Sequence, residues 1–416
     1  MTKRRVVVTG LGLVTPVGND VPTAWTSLLG GKSGVGPITL FDTDGHPVRF
    51  AGEVKGWEPE KVLDRKEARR ADRFCQFALV AAAEAWAGSG LDEYGDLDPD
   101  RFGVITGSGI GGILTLEDQH KKLLEKGPGR VSPFFVPMYI PDMAPGLISM
   151  KYNAKGPNYT TVSACASSAH ALGLAFRSIR DGEADVMITG GSESAVTPLT
   201  MAGFASAKAL SERNDSPQTA SRPFDAGRDG FILAEGGGFV VLESLEHARR
   251  RGAVIHGELI GFGQSADAHH MTAPAPEGEG AQRSMRAALK DAGLQPKDVE
   301  YINAHGTSTP LNDKTETQAV KKVFGEHAYE LVMGSTKSMT GHTLGAAGGV
   351  EFAICCLVLR EGKIPPTINF SEPDPDCDLN YAHNQMLERP VRVAISNSFG
   401  FGGHNATLAV RRWDGE

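Results

Sequence analysis

Cysteine is scarce in this chain: 5 of 416 residues, with no Cys-x-x-Cys pair among them. That spacing excludes a zinc ribbon, and an odd, sparse set fits a reducing compartment better than a disulfide scaffold. Long hydrophobic runs are also missing. The longest apolar stretch after the first strand, Phe352 to Leu359, is far too short to span hydrocarbon. Met1 to Arg5 run straight into an apolar strand, leaving no room for a signal-peptide core. Positive charge is in deficit, 42 Lys+Arg against 50 Asp+Glu for a net −8, which argues against nucleic-acid binding through bulk charge. Charge blocks, low-complexity tracts and short-period repeats are absent. These lacks leave a cytoplasmic globular protein with neither a nucleic-acid nor a membrane partner, long enough for a large core or a duplicated α/β unit.

What is present is alternation. Short β-branched runs ending in glycine recur at Arg5–Thr9, Gly103–Thr106, Val186–Thr189, Phe239–Leu242 and Leu331–Met333. Between many of them lie stretches of helical period: Phe77–Ala87, Ala166–Arg180, Ala281–Ala292 and Gly345–Arg360. Strands alternating with helices predict a parallel sheet covered on both faces. The Pro/Gly-rich patch Thr272–Gly280 is a candidate boundary between halves.

Gly107-Ser-Gly109-Ile-Gly111-Gly112 matches the dinucleotide fingerprint literally. No acidic residue closes a second strand at the required distance, so these are read as turn glycines. Cys165 is more informative. Thr160-Thr-Val-Ser reads as a strand, Ala164-Cys165-Ala166 as a sharp corner and Ser167 onward as a helix, the geometry of a nucleophile elbow with sulfur in place of oxygen. A thiol at a helix start is expected to have a lowered pKa; a buried structural cysteine is the alternative. His305 and His342 each sit between an apolar strand and a helix. The C-terminal ends of parallel strands gather at one edge, so both imidazoles are expected to meet Cys165 there. Metal binding is the rival use, but there is no His-x-x-x-His pair and no carboxylate at ligand spacing. His269-His270 reads as surface.

Thr9-Gly10-Leu-Gly-Leu-Val-Thr-Pro-Val-Gly, Ser163-Ala-Cys-Ala-Ser-Ser-Ala-His, Asn303-Ala-His-Gly-Thr-Ser-Thr, Lys337-Ser-Met-Thr-Gly-His and Asn397-Ser-Phe-Gly-Phe-Gly-Gly together resemble β-ketoacyl-[acyl-carrier-protein] synthases. The resemblance covers nearly the whole chain. It implies an α/β thiolase fold of duplicated βαβαβαββ halves in five layers, αβαβα, assembled as a homodimer. Residues 1–255 would hold the nucleophilic cysteine and 256–416 both histidines. The type II branch is favoured because Ile110 stands where the type I branch usually has a smaller residue. His404 replaces the threonine many bacterial members carry.

The implied reaction is decarboxylative Claisen condensation in fatty-acid elongation, giving 3-oxoacyl-carrier, carbon dioxide and free carrier. The resemblance makes Cys165 the acyl acceptor, His305 and His342 the enolate donors, Lys337 an electrostatic aid, and the N–H groups of Cys165 and Phe401 the oxyanion hole. It implies acyl- or substrate-binding roles for Ile110, Phe204, Phe231, Thr307, Thr309 and Phe135, and a polar or monovalent-cation cluster of Asn303, Glu351, Ser396 and Asn397. No organic cofactor is required, since the substrate arrives on the phosphopantetheine of acyl carrier protein. A polyketide ketosynthase and a non-catalytic tunnel-shaping subunit share the fold; retention of Cys165 speaks against the second. A thiolase acting on coenzyme A uses one histidine rather than two. For the acidic carrier, Arg65, Lys66, Arg69, Arg70 and Arg73 form a basic run. At about 100° per residue Arg65, Arg69 and Arg73 share a helical face, which Lys208 and Arg213 extend.

Overall fold

The computed structural model describes residues 3–415. The first half runs β1 (Val6–Val14), α1 (Arg73–Ser89), β2 (Phe102–Gly107), α2 (Met143–Tyr152), β3 (Asn158–Thr161), α3 (Ser167–Arg180), β4 (Val186–Glu193) and β5 (Gly236–Ser244). The second half repeats the order with β6 (Gly257–Ala266), α4 (Glu279–Ala292), β7 (Tyr301–Asn303), α5 (Pro310–Phe324), β8 (Val332–Gly334), α6 (Ala347–Glu361), β9 (Val393–Gly400) and β10 (His404–Arg411). The strands order as β3-β2-β4-β5-β1 in one half and β8-β7-β9-β10-β6 in the other. The duplication is therefore topological, strand for strand.

The all-parallel sheet expected from alternation is corrected by this pairing. In each half three strands run parallel, but β5 and β10 run antiparallel to both of their neighbours. A β9–β10 hairpin can pair only antiparallel, because a parallel pair needs a crossover. The excursion between β4 and β5 likewise returns without crossing the sheet. Edge strands β1 and β6 pair antiparallel, Val6–Val8 against Leu259–Gly257, and join the halves.

Five layers follow from which faces are apolar. One hydrophobic cluster packs α1, through Phe74, Phe77 and Ala81, on Val104, Ile188 and Val241. A second packs α4 and α5, through Met285 and Val320, on Ile302 and Ile395. The third joins α3 and α6 to both sheets, with Leu172 and Ile354 among Ile105, Val240 and Leu408. Helix α6 is buried at every position from Ala347 to Leu359, as expected of a helix apolar all round. Among the described residues no helix is long and apolar enough to cross a membrane.

The junction between halves lies between Ser244 and Gly257, through the short helix Leu245–Arg250. The patch Thr272–Gly280 is not that boundary; it connects β6 to α4 and lines the cavity described below.

Close backbone approach sets the spacing behind the cysteine corner. A Cβ on Gly107, the last residue of β2, would lie 2.3 Å from the backbone of Ser167 and Ser168 at the start of α3. Gly107→Ala should destabilise the protein by about 1–3 kcal/mol through overpacking, read as a lower unfolding midpoint. An unchanged midpoint would show that α3 yields freely there.

Candidate active site

Cys165 stands where β3 turns into α3. Ala164 takes φ 50°, a left-handed conformation uncommon for a residue with a side chain. Ser167 fixes this corner: its hydroxyl donates to the Ala164 carbonyl (2.7 Å) and accepts from the Ser163 N–H (2.9 Å). The turn pushes Cys165, half-buried, into a cavity of about 340 Å³. The backbone N–H groups of Cys165 and Phe401 lie near enough to the thiol to favour its charged form. A Cβ on Gly400 would lie 3.1 Å from the Cys165 nitrogen, so this close approach requires glycine.

The lowered thiol expected from the helix start is corrected. Burial pushes Cys165 up to about 12; Lys337 opposes this and Glu193 adds to it. Cys165 precedes the first helical residue, Ser167, and desolvation outweighs both the two N–H groups and the lysine. The resting group is a thiol.

The C-terminal ends of β7 and β8 bring both histidines to the sulfur. The Cys165 sulfur and a ring nitrogen of each of His305 and His342 lie within 4.8 Å of one another. The two rings meet edge to face, with centroids 5.4 Å apart. His305 is held by its backbone: its N–H and that of Gly306 donate to Glu316 at 2.9 and 2.8 Å. His342 is held by a backbone bond to Ile232 and by the edge of Phe231 at 5.4 Å. Burial, with Lys337 adding, drives both imidazoles well below their usual pKa. They are neutral, and neither His342 nitrogen nor His305 Nδ1 has a protein partner among the described residues. One sulfur and two imidazoles are also a metal-ligand set. The same set, a thiol beside two neutral imidazoles, equally suits a nucleophile next to two hydrogen-bonding rings.

Lys337 lies in a short helical turn, Lys337–Thr340, and its ammonium pairs with Glu351 of α6, both side chains nearly fully buried. Burial raises the Glu351 carboxyl to about 7, with Lys337 pulling it back down.

Ile110, Phe204, Phe231, Thr307, Thr309 and Phe401 all line the cavity, as expected. Phe204 and Phe231 meet edge to face at 5.3 Å, and Phe401 is 38 % exposed at the mouth. Phe135 lies on the separate helix Phe135–Tyr139, stacked on Tyr139, and is not among the residues this chain contributes to the cavity. His404 is exposed and folds over Gly402, while Asn405 faces the cavity. His269 and His270 are exposed.

The basic face is also corrected in part. Arg65, Lys66, Arg69 and Arg70 are exposed on the short helix Arg65–Arg70. That helix breaks at Ala71, which is extended, and Asp72 caps α1 at Arg73. Arg73 therefore leaves the face. Its guanidinium forks onto buried Glu235 (2.9 and 2.6 Å) and lies over the Phe77 ring. Arg213 is tied to the Gly227 carbonyl at 2.6 Å, whereas Lys208 is exposed and lines the mouth.

Two carboxylates escaped sequence reading. Glu316 anchors the His305 corner from α5, and Glu193 closes β4 with its side chain fully buried. Glu193 accepts the N–H groups of Gly109 and Ile110. The glycine turn that mimics a dinucleotide fingerprint thus binds an internal carboxylate. The one available signal was an acidic residue ending an otherwise apolar strand.

Removing one member of a buried ion pair strands the other. Lys337→Met should cost about 3–5 kcal/mol, and Glu351→Leu added to it should recover much of that loss. Denaturant unfolding of the single and double variants decides; purely additive losses would show that the two side chains do not interact.

The description "Beta-ketoacyl synthase, N-terminal domain" matches residues 3–248, and its C-terminal counterpart matches residues 256–371. The chain is 54 % identical over 99 % of both chains to the 3-oxoacyl-[acyl-carrier-protein] synthase 2 of Synechocystis sp.. It is 52 % identical, again over 99 % of each, to that of Staphylococcus aureus. Among solved structures, a beta-ketoacyl synthase from Burkholderia phymatum superposes with a TM-score of 0.92 at 35 % identity, covering 99 % of this chain and all of that one. A ketosynthase structure described as a type II PKS acyl-carrier protein in complex with its ketosynthase gives 0.90 at 38 % identity, with the same coverage. With the cysteine corner, the two neutral histidines and the duplicated sheet already in place, this chain belongs to the β-ketoacyl synthase family.

Proposed function

We propose that the chain is the condensing enzyme of fatty-acid elongation, joining an acyl group held on Cys165 to malonyl-[acyl-carrier-protein]. One observation carries the reading. The Cys165 sulfur and two neutral imidazoles lie within 4.8 Å of one another in a mostly apolar cavity that the Phe401 backbone also borders.

In the first half-reaction the sulfur attacks the acyl thioester carbon and its proton passes to a neighbouring neutral imidazole. The tetrahedral oxyanion sits in the N–H pair of Cys165 and Phe401. Collapse expels the carrier sulfur, which takes the proton back, and the acyl group remains on Cys165. In the second, malonyl-carrier loses carbon dioxide, and negative charge on its thioester oxygen is met by N–H donors of His305 and His342. The resulting carbon attacks the acyl carbonyl through the same oxyanion hole. The Cys165 sulfur leaves as a thiolate and takes a proton from solvent, so each condensation consumes one proton. Phe204 and Phe231 wall the acyl chain, Ile110 gates it, and Thr307 and Thr309 (hydroxyls 3.1 Å apart) meet the substrate's polar arm. The reaction needs no organic cofactor beyond the carrier's own arm.

Asn303 Oδ1, Glu351 Oε2 and Ser396 Oγ are buried without a partner among the described residues, and Ser396 pairs in register with Asn303. These hard oxygens fit a monovalent cation, whose charge would steady the Glu351–Lys337 pair; Asn397 already accepts from Thr407 and donates to Glu316. The carrier docks on Arg65, Lys66, Arg69, Arg70 and Lys208. A homodimer is supported by the exposed edge strand β3, with Tyr159, Val162 and Val136 exposed. Five unpaired cysteines suit the cytoplasm.

Cys165→Ala should abolish condensation yet retain malonyl decarboxylation; a variant that still forms an acyl adduct would move the nucleophile elsewhere. His305→Ala and His342→Ala should each slow decarboxylation by on the order of 10²–10³, and non-additively. Because both pKa values lie well below 6.5, histidine NMR should show two imidazoles that do not titrate from about pH 8 to 6. Arg65→Glu with Arg69→Glu should raise KM for carrier substrates while leaving a small thioester mimic unaffected. The effect should fade with salt, since the Debye length is roughly 8 Å at physiological ionic strength. Equal handling of the carrier at low salt would place docking on another surface.

A further inference from the structure

The Glu193 carboxylate accepts from five donors. Four belong to the gate turn: the N–H groups of Gly109 (2.7 Å), Ile110 (3.1 Å) and Gly111 (3.3 Å), and the Ser108 hydroxyl (3.0 Å). The fifth is the Gly345 N–H (3.0 Å), three residues beyond His342. Between them Leu344 takes φ 49° and lines the cavity. Successive backbone N–H groups converging on one anion form a nest, and charge-assisted bonds of this kind are strong. Nothing larger than glycine fits against the carboxylate: a Cβ on Gly109 or Gly345 would lie 2.9 or 2.6 Å from Glu193 Oε2.

We propose that Glu193 is a positioning residue that holds the Ile110 gate and the His342 loop in one register, so that acyl-chain selection and enolate stabilisation are set together. The inference rests on the condensing-enzyme reading. With its N–H fixed, Ile110 can yield to a long chain only by rotating its side chain, because the turn behind it cannot retreat. The Gly345 bond transmits the same anchor to the backbone that carries His342. The Glu193 charge also acts on Cys165 through space, so one buried group is bonded to the gate and the donor loop and is felt at the sulfur.

The test is Glu193→Gln, whose amide turns a donor toward N–H groups that need an acceptor. Acyl transfer to Cys165 is followed by mass spectrometry with butanoyl- and dodecanoyl-carrier, and malonyl decarboxylation is measured separately. Discrimination between the two chains should fall about tenfold. Decarboxylation should fall about tenfold to a hundredfold in kcat with KM little changed, as for a donor displaced by about an ångström. In an Ile110→Ala background, Glu193→Gln should no longer alter the chain-length ratio while the decarboxylation loss persists. Glu193→Asp, which keeps the charge but shortens the reach, should fall between parent and Gln. If Glu193→Gln does not fold, Ser108→Ala removes one gate-side donor and should shift the chain-length ratio in the same direction. Equal losses at both chain lengths, or an unchanged decarboxylation kcat, would overturn the proposal. Failure of the parent itself to acylate Cys165 would instead overturn the reaction assigned to the site.

Discussion

Burial of α3 and α6 between two sheets is the constraint on which the site depends. Both helices must be apolar or small on nearly every face, and they can approach only where side chains vanish. A Cβ on Gly348 of α6 would lie 2.7 Å from the Ala169 nitrogen of α3. This contact fixes the two helices relative to each other, and with them the corners just before each helix. One corner carries Cys165 and the other follows His342. A loss of packing far below the cavity is therefore felt as a displacement of sulfur from imidazole.

The same burial sets the electrostatics. Desolvation keeps Cys165 a thiol and both histidines neutral, so the free site stores little charge on its reacting groups. The buried ammonium beside it, that of Lys337, is balanced by Glu351. Donors held in place by the fold favour charge that appears during a reaction, because they need not reorganise. Lys337 adds to desolvation in keeping both imidazoles neutral.

The corners were legible in the sequence because each lies between a strand and a helix, apolar strands before His305 and His342 and a polar Thr-rich one before Cys165. Cys165, His305 and His342 could thus be gathered from local pattern and the geometry of parallel strands. Strand direction was not legible at β5, since an apolar run reads the same up or down. The break at Ala71 was hidden because the Arg65–Arg73 run keeps helical spacing across it; Asp72 caps α1 only when its neighbours are in place. The direction of the Cys165 shift depended on enclosure by both halves, which no local motif encodes.

Superposing the two halves by strand order gives the site a further logic. The β3–α3 corner with Cys165 corresponds to the β8–α6 connection with His342, and the β2 exit with Ile110 corresponds to the β7 exit with His305. Each exit from β2 or β7 is anchored by a buried carboxylate taking consecutive backbone N–H groups: Glu193 at Gly109 and Ile110, Glu316 at His305 and Gly306. The two anchors come from different elements, the end of β4 and the body of α5, so they arose on the same topology without sharing a sequence position. A duplicated scaffold needs a fixed turn at both places, and a buried carboxylate is the side chain that can hold several N–H groups at once. What differs is what each turn presents. One presents the apolar side chain of Ile110 to the cavity, and the other the neutral imidazole of His305.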